Sequence, residues 1–87
     1  MSVNRVVRVY STGPQCMQCV MTKKRLTKLG VPFEEILVDP TNENDVNAAA
    51  LRYMGFQGAP VVLVSGPDGE TSWVGFSPDR IDALAVR

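Results

Sequence analysis

The two cysteines of this 87-residue chain, Cys16 and Cys19, are the residues whose type and spacing most directly suggest chemistry. Side chains three positions apart on a helix lie on the same side, roughly 5–6 Å from each other, which is within disulfide range. Two thiols placed this way form a reversible couple that exchanges with other disulfides through a mixed disulfide. The pair therefore predicts a dithiol–disulfide oxidoreductase.

The segments around the pair predict a different role for each cysteine. Residues 5–10 are typical of a β strand, and the spacing of Cys19, Thr22, Leu26 and Leu29 is that of a helix face. Free N–H groups and the positive dipole end at the helix start favour an anion, which lowers the pKa of the Cys16 thiol. We therefore predict that Cys16 is the exposed nucleophile and that Cys19, one turn further and more buried, is the resolving cysteine.

The cysteine pair has two other interpretations, a zinc site and a purely structural disulfide. A zinc site needs four nitrogen or sulfur ligands, but the chain has no further cysteine and no histidine, so only a second subunit or carboxylates could complete it. A purely structural disulfide would close so short a loop that it would restrict the unfolded chain little. We expect no metal, and no cofactor other than the Cys16–Cys19 disulfide itself.

Composition limits the class of protein. Residues 1–87 are expected to form a single domain, and lysine plus arginine balance aspartate plus glutamate at nine each. The net charge thus points to no nucleic acid and no membrane as partner. The N-terminus lacks the apolar core of a signal peptide, and no stretch has the roughly 20 apolar residues of a membrane span. The expectation is a cytoplasmic monomer.

Strand and helix patterns alternate along the first half. The first helix is predicted from Cys16 to Leu29 and ends at Gly30, and the second strand spans Phe33–Val38, which gives a right-handed βαβ unit. A turn at residues 39–42 can cap a second helix, which ends at Gly55. Its periodicity predicts one buried side formed by Val46, Ala49, Ala50, Tyr53 and Met54.

The second half has a different pattern. Val61–Val64 is an uninterrupted apolar run, as in a central strand covered on both faces. Turn residues at 65–69 and a strand at Glu70–Val74 predict an antiparallel hairpin. Ser77 is a suitable N-cap, with Pro78 at the first position of a short final helix.

This order of elements resembles the thioredoxin fold in its compact, glutaredoxin-like βαβαββα form. The resemblance implies an α/β protein with a four-stranded mixed sheet and helices on both faces. Members of that fold place a cis proline before the third strand, beside the Cys-x-x-Cys pair, and Gly58-Ala59-Pro60 precedes Val61 here. The resemblance therefore implies that Pro60 is cis and that the Ala59 backbone is free to pair with an extended segment. A trans proline at the start of a strand is the ordinary alternative.

Three segments resemble the NrdH-redoxin family: Cys16–Lys24, Gly58–Val62 and Trp73–Ile81. The last is similar to the family's Trp-Ser-Gly-Phe-Arg-Pro stretch, but Val74 replaces serine and Ser77 replaces arginine. The resemblance implies a redoxin that donates electrons to class Ib ribonucleotide reductase, contacting its large subunit, and that is itself reduced by thioredoxin reductase.

The remaining candidate site residues fall into two groups. The active-site support comprises Met17, Gln18, Ala59 and Pro60. The candidate partner-binding residues are Thr12, Gln15, Phe56, Trp73, Gly75, Phe76, Lys23 and Lys24. Ordinary interpretations compete for several of them: Trp73 as a core residue, Thr12 and Gln15 as solvent-facing loop residues, and the lysines as a solvated helix face that complements the helix dipole.

Two alternative functions remain at this point. Glutathione-dependent glutaredoxins carry a lysine before the first cysteine and a Gly-Gly-x-Asp stretch at the last helix. Here Ser11–Gln15 contains no lysine, and Phe76 stands where the second glycine would be, although Asp79 matches. A non-redox interaction domain that merely retains the two cysteines is the other alternative, and an insulin-disulfide reduction assay would distinguish it.

Overall fold

The computed structural model describes residues 5–85, which form four strands and three helices. In chain order these are β1 (Val6–Ser11), α1 (Met17–Lys28), β2 (Glu34–Leu37), α2 (Val46–Tyr53), β3 (Val61–Gly66), β4 (Gly69–Val74) and α3 (Pro78–Leu84). The strands lie in one sheet in the order β2-β1-β3-β4.

The sheet is mixed. β1 runs parallel to β2, as a βαβ unit requires, and antiparallel to β3, with Tyr10 opposite Val61. β3 and β4 form an antiparallel hairpin in which Gly66 pairs with Gly69 across a two-residue turn. The α/β, four-stranded, thioredoxin-like architecture implied by the resemblance is confirmed.

The main core lies between one face of the sheet and the helices α1 and α3. Alternate residues of β1 and β3 project into it, where they meet Leu26 of α1 and Ile81 of α3, both fully buried. The complete cluster is Val7, Val9, Leu26, Val31, Val62, Val64, Trp73 and Ile81. Arg25 adds a two-pronged ion pair from α1 to Asp82 of α3, with N···O distances of 2.9 and 2.7 Å.

The predicted first helix is confirmed within a residue at each end. Cys16 is its N-cap, Leu29 its C-cap, and Gly30 follows with a φ of 72°, a value at which glycine has no steric penalty. Cys19, Thr22 and Leu26 form the buried side, as their spacing predicted. Two other boundaries shift: β2 is shorter than Phe33–Val38, and Asp45 rather than the turn at 39–42 caps α2.

The predicted buried side of α2 is wrong. The helix turns Ala48 and half-buried Leu51 toward the sheet, on the face opposite α1, so the sheet does carry helices on both faces. Val46 is 80% exposed and Tyr53 94% exposed. With only Asn47 and Arg52 polar, this eight-residue helix is apolar nearly all round, so periodicity alone does not identify which side is buried.

The two ends of the described segment meet. The Arg5 guanidinium donates to the Leu84 carbonyl oxygen at 2.7 Å, joining the start of β1 to the end of α3. Of the helices in residues 5–85, the longest has 12 residues, and none is long and apolar enough to cross a membrane.

Candidate active site

The candidate site lies at one end of the sheet, where β1 ends and β3 begins. Because these two strands are antiparallel and Tyr10 is opposite Val61, the loop after Ser11 and the residues before Val61 emerge side by side. The first loop leads to Cys16 and the second segment contains Ala59 and Pro60. The sheet topology thus brings together the two motifs on which the sequence argument depended.

Cys16 and Cys19 are joined in a disulfide, with Cα atoms 5.2 Å apart. Cys16 is partly exposed, whereas Cys19 is completely buried on the inner side of α1. The Cys16 Sγ also accepts the backbone N–H of Cys19, with an N···S distance of 3.2 Å. The geometry therefore presents one sulfur to solvent at the helix N-terminus and places the other beneath it.

A tight loop delivers Cys16 to the helix start. Gly13 has a φ of 115°, and its carbonyl accepts the Cys16 N–H at 3.1 Å. The Gln15 side chain folds back and donates to the Thr12 carbonyl at 2.7 Å. The contact between Thr12 and Gln15 thus stabilises this loop. Within the described residues, neither side chain forms a hydrogen bond with a sulfur atom.

Gln18 connects the disulfide loop to the segment that precedes α3. Its Oε1 accepts the backbone N–H of Phe76 at 3.0 Å, and the Gly75 N–H donates to the Pro60 carbonyl at 2.8 Å. Gly75 has a φ of 87°, and a Cβ there would lie 3.0 Å from Gln18 Oε1. Both the positive φ and this close approach favour glycine at position 75. Gln18 and Gly75 were both predicted site residues, but the hydrogen bond from Phe76 to Gln18 was not predicted.

Pro60 is buried and the Ala59–Pro60 peptide bond is cis, as the resemblance implied. Within residues 5–85, Ala59 makes no hydrogen bond between main-chain groups. The residue is half-buried, and its N–H and carbonyl groups are free to act as donor and acceptor next to the Cys16 loop. An extended peptide segment could pair with it as an added strand.

Four apolar residues on or beside the segments that carry the site are accessible, and we call them the apolar rim. Met17 is 67% exposed, and Phe56, Ala59 and Phe76 are half-buried. Phe56 and Ala59 also line a cavity of about 360 Å³ between α2 and the sheet, with Thr12 at its margin. Apolar surface collected at one place on a small protein is typical of a binding site.

Trp73 belongs to the core rather than to this rim. Its side chain is only 9% exposed and packs in the main cluster, with the Arg80 guanidinium 5.7 Å from the ring centre. Its Nε1 is buried without a hydrogen-bond partner in the described residues. Little of the ring is exposed, which favours the core interpretation of Trp73.

The two candidate lysines differ. Lys23 donates to Glu35 on β2 at 2.8 Å, so its charge is already paired, whereas Lys24 is exposed. Glu35 also accepts from the buried Ser11 hydroxyl at 2.7 Å. The hydrogen bonds from Lys23 and then Ser11 hold the pKa of the Glu35 carboxyl below its ordinary value. This link between β1, β2 and α1 was not predicted, because no short-range sequence pattern connects Ser11, Lys23 and Glu35.

Comparison with known proteins agrees with this geometry. The family model described as Glutaredoxin matches residues 7–67. The glutaredoxin-like protein NrdH of Escherichia coli (strain K12) is 42% identical over 78 residues, covering 90% of this chain and 86% of its own. The NrdH protein of Lactococcus lactis subsp. lactis is 35% identical over 80 residues, covering 92% of this chain and 100% of its own.

A solved structure extends the similarity to three dimensions. NrdH-redoxin from Escherichia coli, a glutaredoxin-like protein described as having a thioredoxin-like activity profile, matches with a TM-score of 0.73 and 40% identity. The match covers 90% of this chain and 92% of that one. Sequence identity, fold and the Cys16–Cys19 disulfide all agree. This chain therefore belongs to the NrdH-redoxins, glutaredoxin-like thiol–disulfide oxidoreductases of the thioredoxin fold.

Proposed function

We propose that this redoxin carries electrons in the cytoplasm from thioredoxin reductase to class Ib ribonucleotide reductase. Its acceptor is the disulfide that the large subunit of that enzyme forms at each turnover, and the Cys16–Cys19 pair is its redox centre. Family membership supports the acceptor, and the geometry around Gln18 supports the choice of reductant.

In the reduced protein, Cys16 acts as the nucleophile. The Cys19 N–H that now lies 3.2 Å from Cys16 Sγ, together with the helix N-terminus, stabilises the thiolate form of Cys16. This thiolate attacks one sulfur of the acceptor disulfide, whose S–S bond breaks, and the second acceptor sulfur leaves as a thiolate that takes up a proton.

Cys19 completes the transfer. Its thiol loses a proton and attacks Cys16 Sγ, which breaks the mixed disulfide, releases the first acceptor sulfur as a thiolate that takes up a proton, and leaves the Cys16–Cys19 disulfide. Two electrons have then passed to the acceptor. Two thiols of the reductase reverse these steps. During either exchange, the free Ala59 backbone holds the partner segment and the apolar rim contacts its side chains.

One observation favours thioredoxin reductase over glutathione. Glutathione carries carboxylates, which in glutaredoxins bind backbone N–H groups before the last helix. In this chain the Phe76 N–H is already occupied by Gln18 Oε1 at 3.0 Å, and the Phe76 side chain adds bulk at the same place. A glutathione carboxylate would have to displace a bond within the protein.

The test is a reductase comparison. Oxidised protein is supplied with NADPH and either thioredoxin reductase or glutathione plus glutathione reductase, and NADPH oxidation is followed with insulin as the final acceptor. We expect efficient turnover only with thioredoxin reductase. Equal or faster turnover with glutathione would overturn the assignment in favour of a glutaredoxin. Absence of insulin reduction in both arms would favour a non-redox interaction domain.

The acceptor requires its own assay. Class Ib ribonucleotide reductase is supplied with this protein as sole electron donor, and deoxyribonucleotide formation is measured. We expect turnover that depends on Cys16, with a Cys16→Ser variant as control. No product with the reductase-competent protein would exclude this acceptor while leaving the oxidoreductase activity intact.

A further inference from the structure

The outer side of α2 is an exposed apolar surface. Val46, Ala49, Ala50 and Tyr53 follow the spacing of one helix face, and all four are exposed. Met54 continues this surface at the end of the helix and is 55% exposed. We call these five residues the α2 stripe. It faces away from the sheet, because Ala48 and Leu51 on the other side of the helix face inward.

Such a surface needs an explanation. A contiguous apolar patch on a small soluble domain marks an interaction surface more often than isolated exposed side chains do. The centre of the stripe consists of two alanines, which let another helix approach to about 8 Å. Val46 and Tyr53 stand at the two ends and can pack around such a helix.

The charges beside the stripe suggest which helix it binds. Asp45 and Arg52 are seven positions, or about two turns, apart, so both lie along one flank of α2 at opposite ends. When a helix pairs with an antiparallel copy of itself, equivalent flanks meet and opposite ends come together. Asp45 of each copy, whose carboxylate also accepts the Ala48 and Asp39 N–H groups of its own chain at 2.9 Å, would then face Arg52 of the other, and the two helix dipoles would be antiparallel.

We propose that the α2 stripe binds the α2 stripe of a second copy of this chain, as an antiparallel helix pair about a twofold axis near Ala49 and Ala50. In this arrangement Val46 of each copy packs beside Tyr53 of the other. The charge pattern is self-complementary, which is what a twofold interface requires. The sequence predicted a monomer, but the same prediction treated the five stripe residues as the buried side of α2.

The pairing leaves the redox centre open. α2 lies on the face of the sheet opposite α1, and Cys16 begins α1. Two turns of helix provide an interface of the smallest size class, so association is expected to be weak and dependent on concentration. The proposal therefore concerns an additional surface and does not alter the proposed electron transfer.

The first experiment measures association of the oxidised protein, in which both cysteines are closed in the intramolecular disulfide. Sedimentation equilibrium from about 10 μM to about 1 mM covers the affinities expected for such small interfaces. We expect a reversible monomer–dimer equilibrium. The variant Ala50→Glu places like charges face to face and should weaken dimerisation at least ~10-fold. Thr27→Glu adds the same charge at an exposed position of α1, on the opposite face of the sheet, and is the matched control.

Mixing two variants of opposite charge at position 50 distinguishes a twofold helix pair from any other contact. Ala50→Glu and Ala50→Lys should each fail to self-associate, whereas their equimolar mixture should form a heterodimer. All variants should keep the wild-type circular dichroism spectrum and insulin-reduction rate. A protein that stays monomeric to about 1 mM would overturn the proposal, because even interfaces of this small class associate in that range. An Ala50→Glu variant that dimerises normally, or a mixture that stays monomeric, would overturn it as well.

One further outcome would reassign the surface. If wild type stays monomeric and Ala50→Glu loses turnover with thioredoxin reductase but not reduction by dithiothreitol, the stripe binds the reductase and not a second copy. Failure of the proposed function itself would show in the reductase comparison with the wild-type protein, which does not involve this variant.

Discussion

The division of labour between Cys16 and Cys19 follows from their different exposure at the helix start. Cys16→Ser removes the accessible sulfur, so disulfide reduction should fall to background. Cys19→Ser should still attack but stop at the mixed disulfide. Mass spectrometry of each variant after incubation with an oxidised acceptor measures the trapped species. Trapping through Cys19 in the first variant, with none in the second, would reverse the roles.

Gln18 should contribute to the exclusion of glutathione. Gln18→Ala frees the Phe76 N–H, and we expect the glutathione-coupled rate to rise, with a loss of about 0.5 kcal/mol in the free energy of unfolding because the lost bond is exposed. Gln15→Ala is the control, since it removes another side-chain amide bond in the same region. An unchanged glutathione rate would leave the Phe76 ring as the barrier.

Thr22 carries a hydroxyl with no hydrogen-bond partner among the described residues, although the side chain is fully buried. Thr22→Val removes this unpaired group at similar size and should leave the free energy of unfolding unchanged or raise it by up to about 1 kcal/mol. Thr22→Ser keeps the hydroxyl and loses a methyl group, so it should destabilise by about 0.8 kcal/mol. Urea denaturation measures both, with exposed Thr27→Val as control. Destabilisation by valine would show that the hydroxyl is satisfied in solution.

At this scale the sequence was informative where chemistry depends on local spacing. It predicted the disulfide partners, the helix-start position of Cys16 and the burial of Cys19, because all three follow from the spacing of residues within one strand–helix segment. It could not predict the bond from Gln18 to Phe76, since 58 positions separate them and only the sheet brings them together. The core position of Trp73 likewise depends on which face of β4 is covered.

Among the elements, α1 and β2 are held together by the Lys23–Glu35–Ser11 contacts. The pKa of the Glu35 carboxyl is lower in the folded protein than its ordinary value of 4.5, first through Lys23 and then through Ser11. The carboxylate therefore contributes stability above pH 4.5, and this contribution is lost as the pH falls through the lower, folded-state pKa.

Glu35→Gln should consequently lower the free energy of unfolding at pH 7, and the difference from wild type should shrink as the pH falls below 4.5. Urea denaturation at a series of pH values measures this. Glu34→Gln is the control, because the contact of Glu34 with Arg8 is longer, at 3.3 Å, and more exposed. A difference that persists at acid pH would mean that packing, not charge, accounts for the effect.

Elements with one clearly polar side were predicted well, and α2 was not. The inner side of α1 was correct because lysines and arginine occupy its other positions. α2 presents apolar residues on two sides, and both assignments satisfy a helical period. Only the sheet, which accommodates Ala48 and Leu51, determines the orientation. The outer side of α2 was therefore predicted to be buried, although its side chains are exposed.

For the whole molecule, the fold should survive reduction of the disulfide. The bond closes a loop of four residues, so by chain entropy it adds at most about 2 kcal/mol to the free energy of unfolding. The core cluster between the sheet, α1 and α3 contains neither cysteine, so it does not depend on the disulfide for its contacts. Urea denaturation with and without dithiothreitol, followed by fluorescence of Trp73, measures the change. Unfolding on reduction would show that the disulfide is structural.

The contact between Arg5 and Leu84 has a practical consequence for handling the protein. β1 begins next to Arg5 and leads to the disulfide loop, so its six residues, about 20 Å at 3.3 Å per residue, separate this contact from the redox centre. A fluorescent domain, an affinity tag or an electrode linker that leaves the described segment at Arg5 or Ala85 therefore starts beside this contact. Fusions at these positions should leave the Cys16–Cys19 disulfide accessible to its partners.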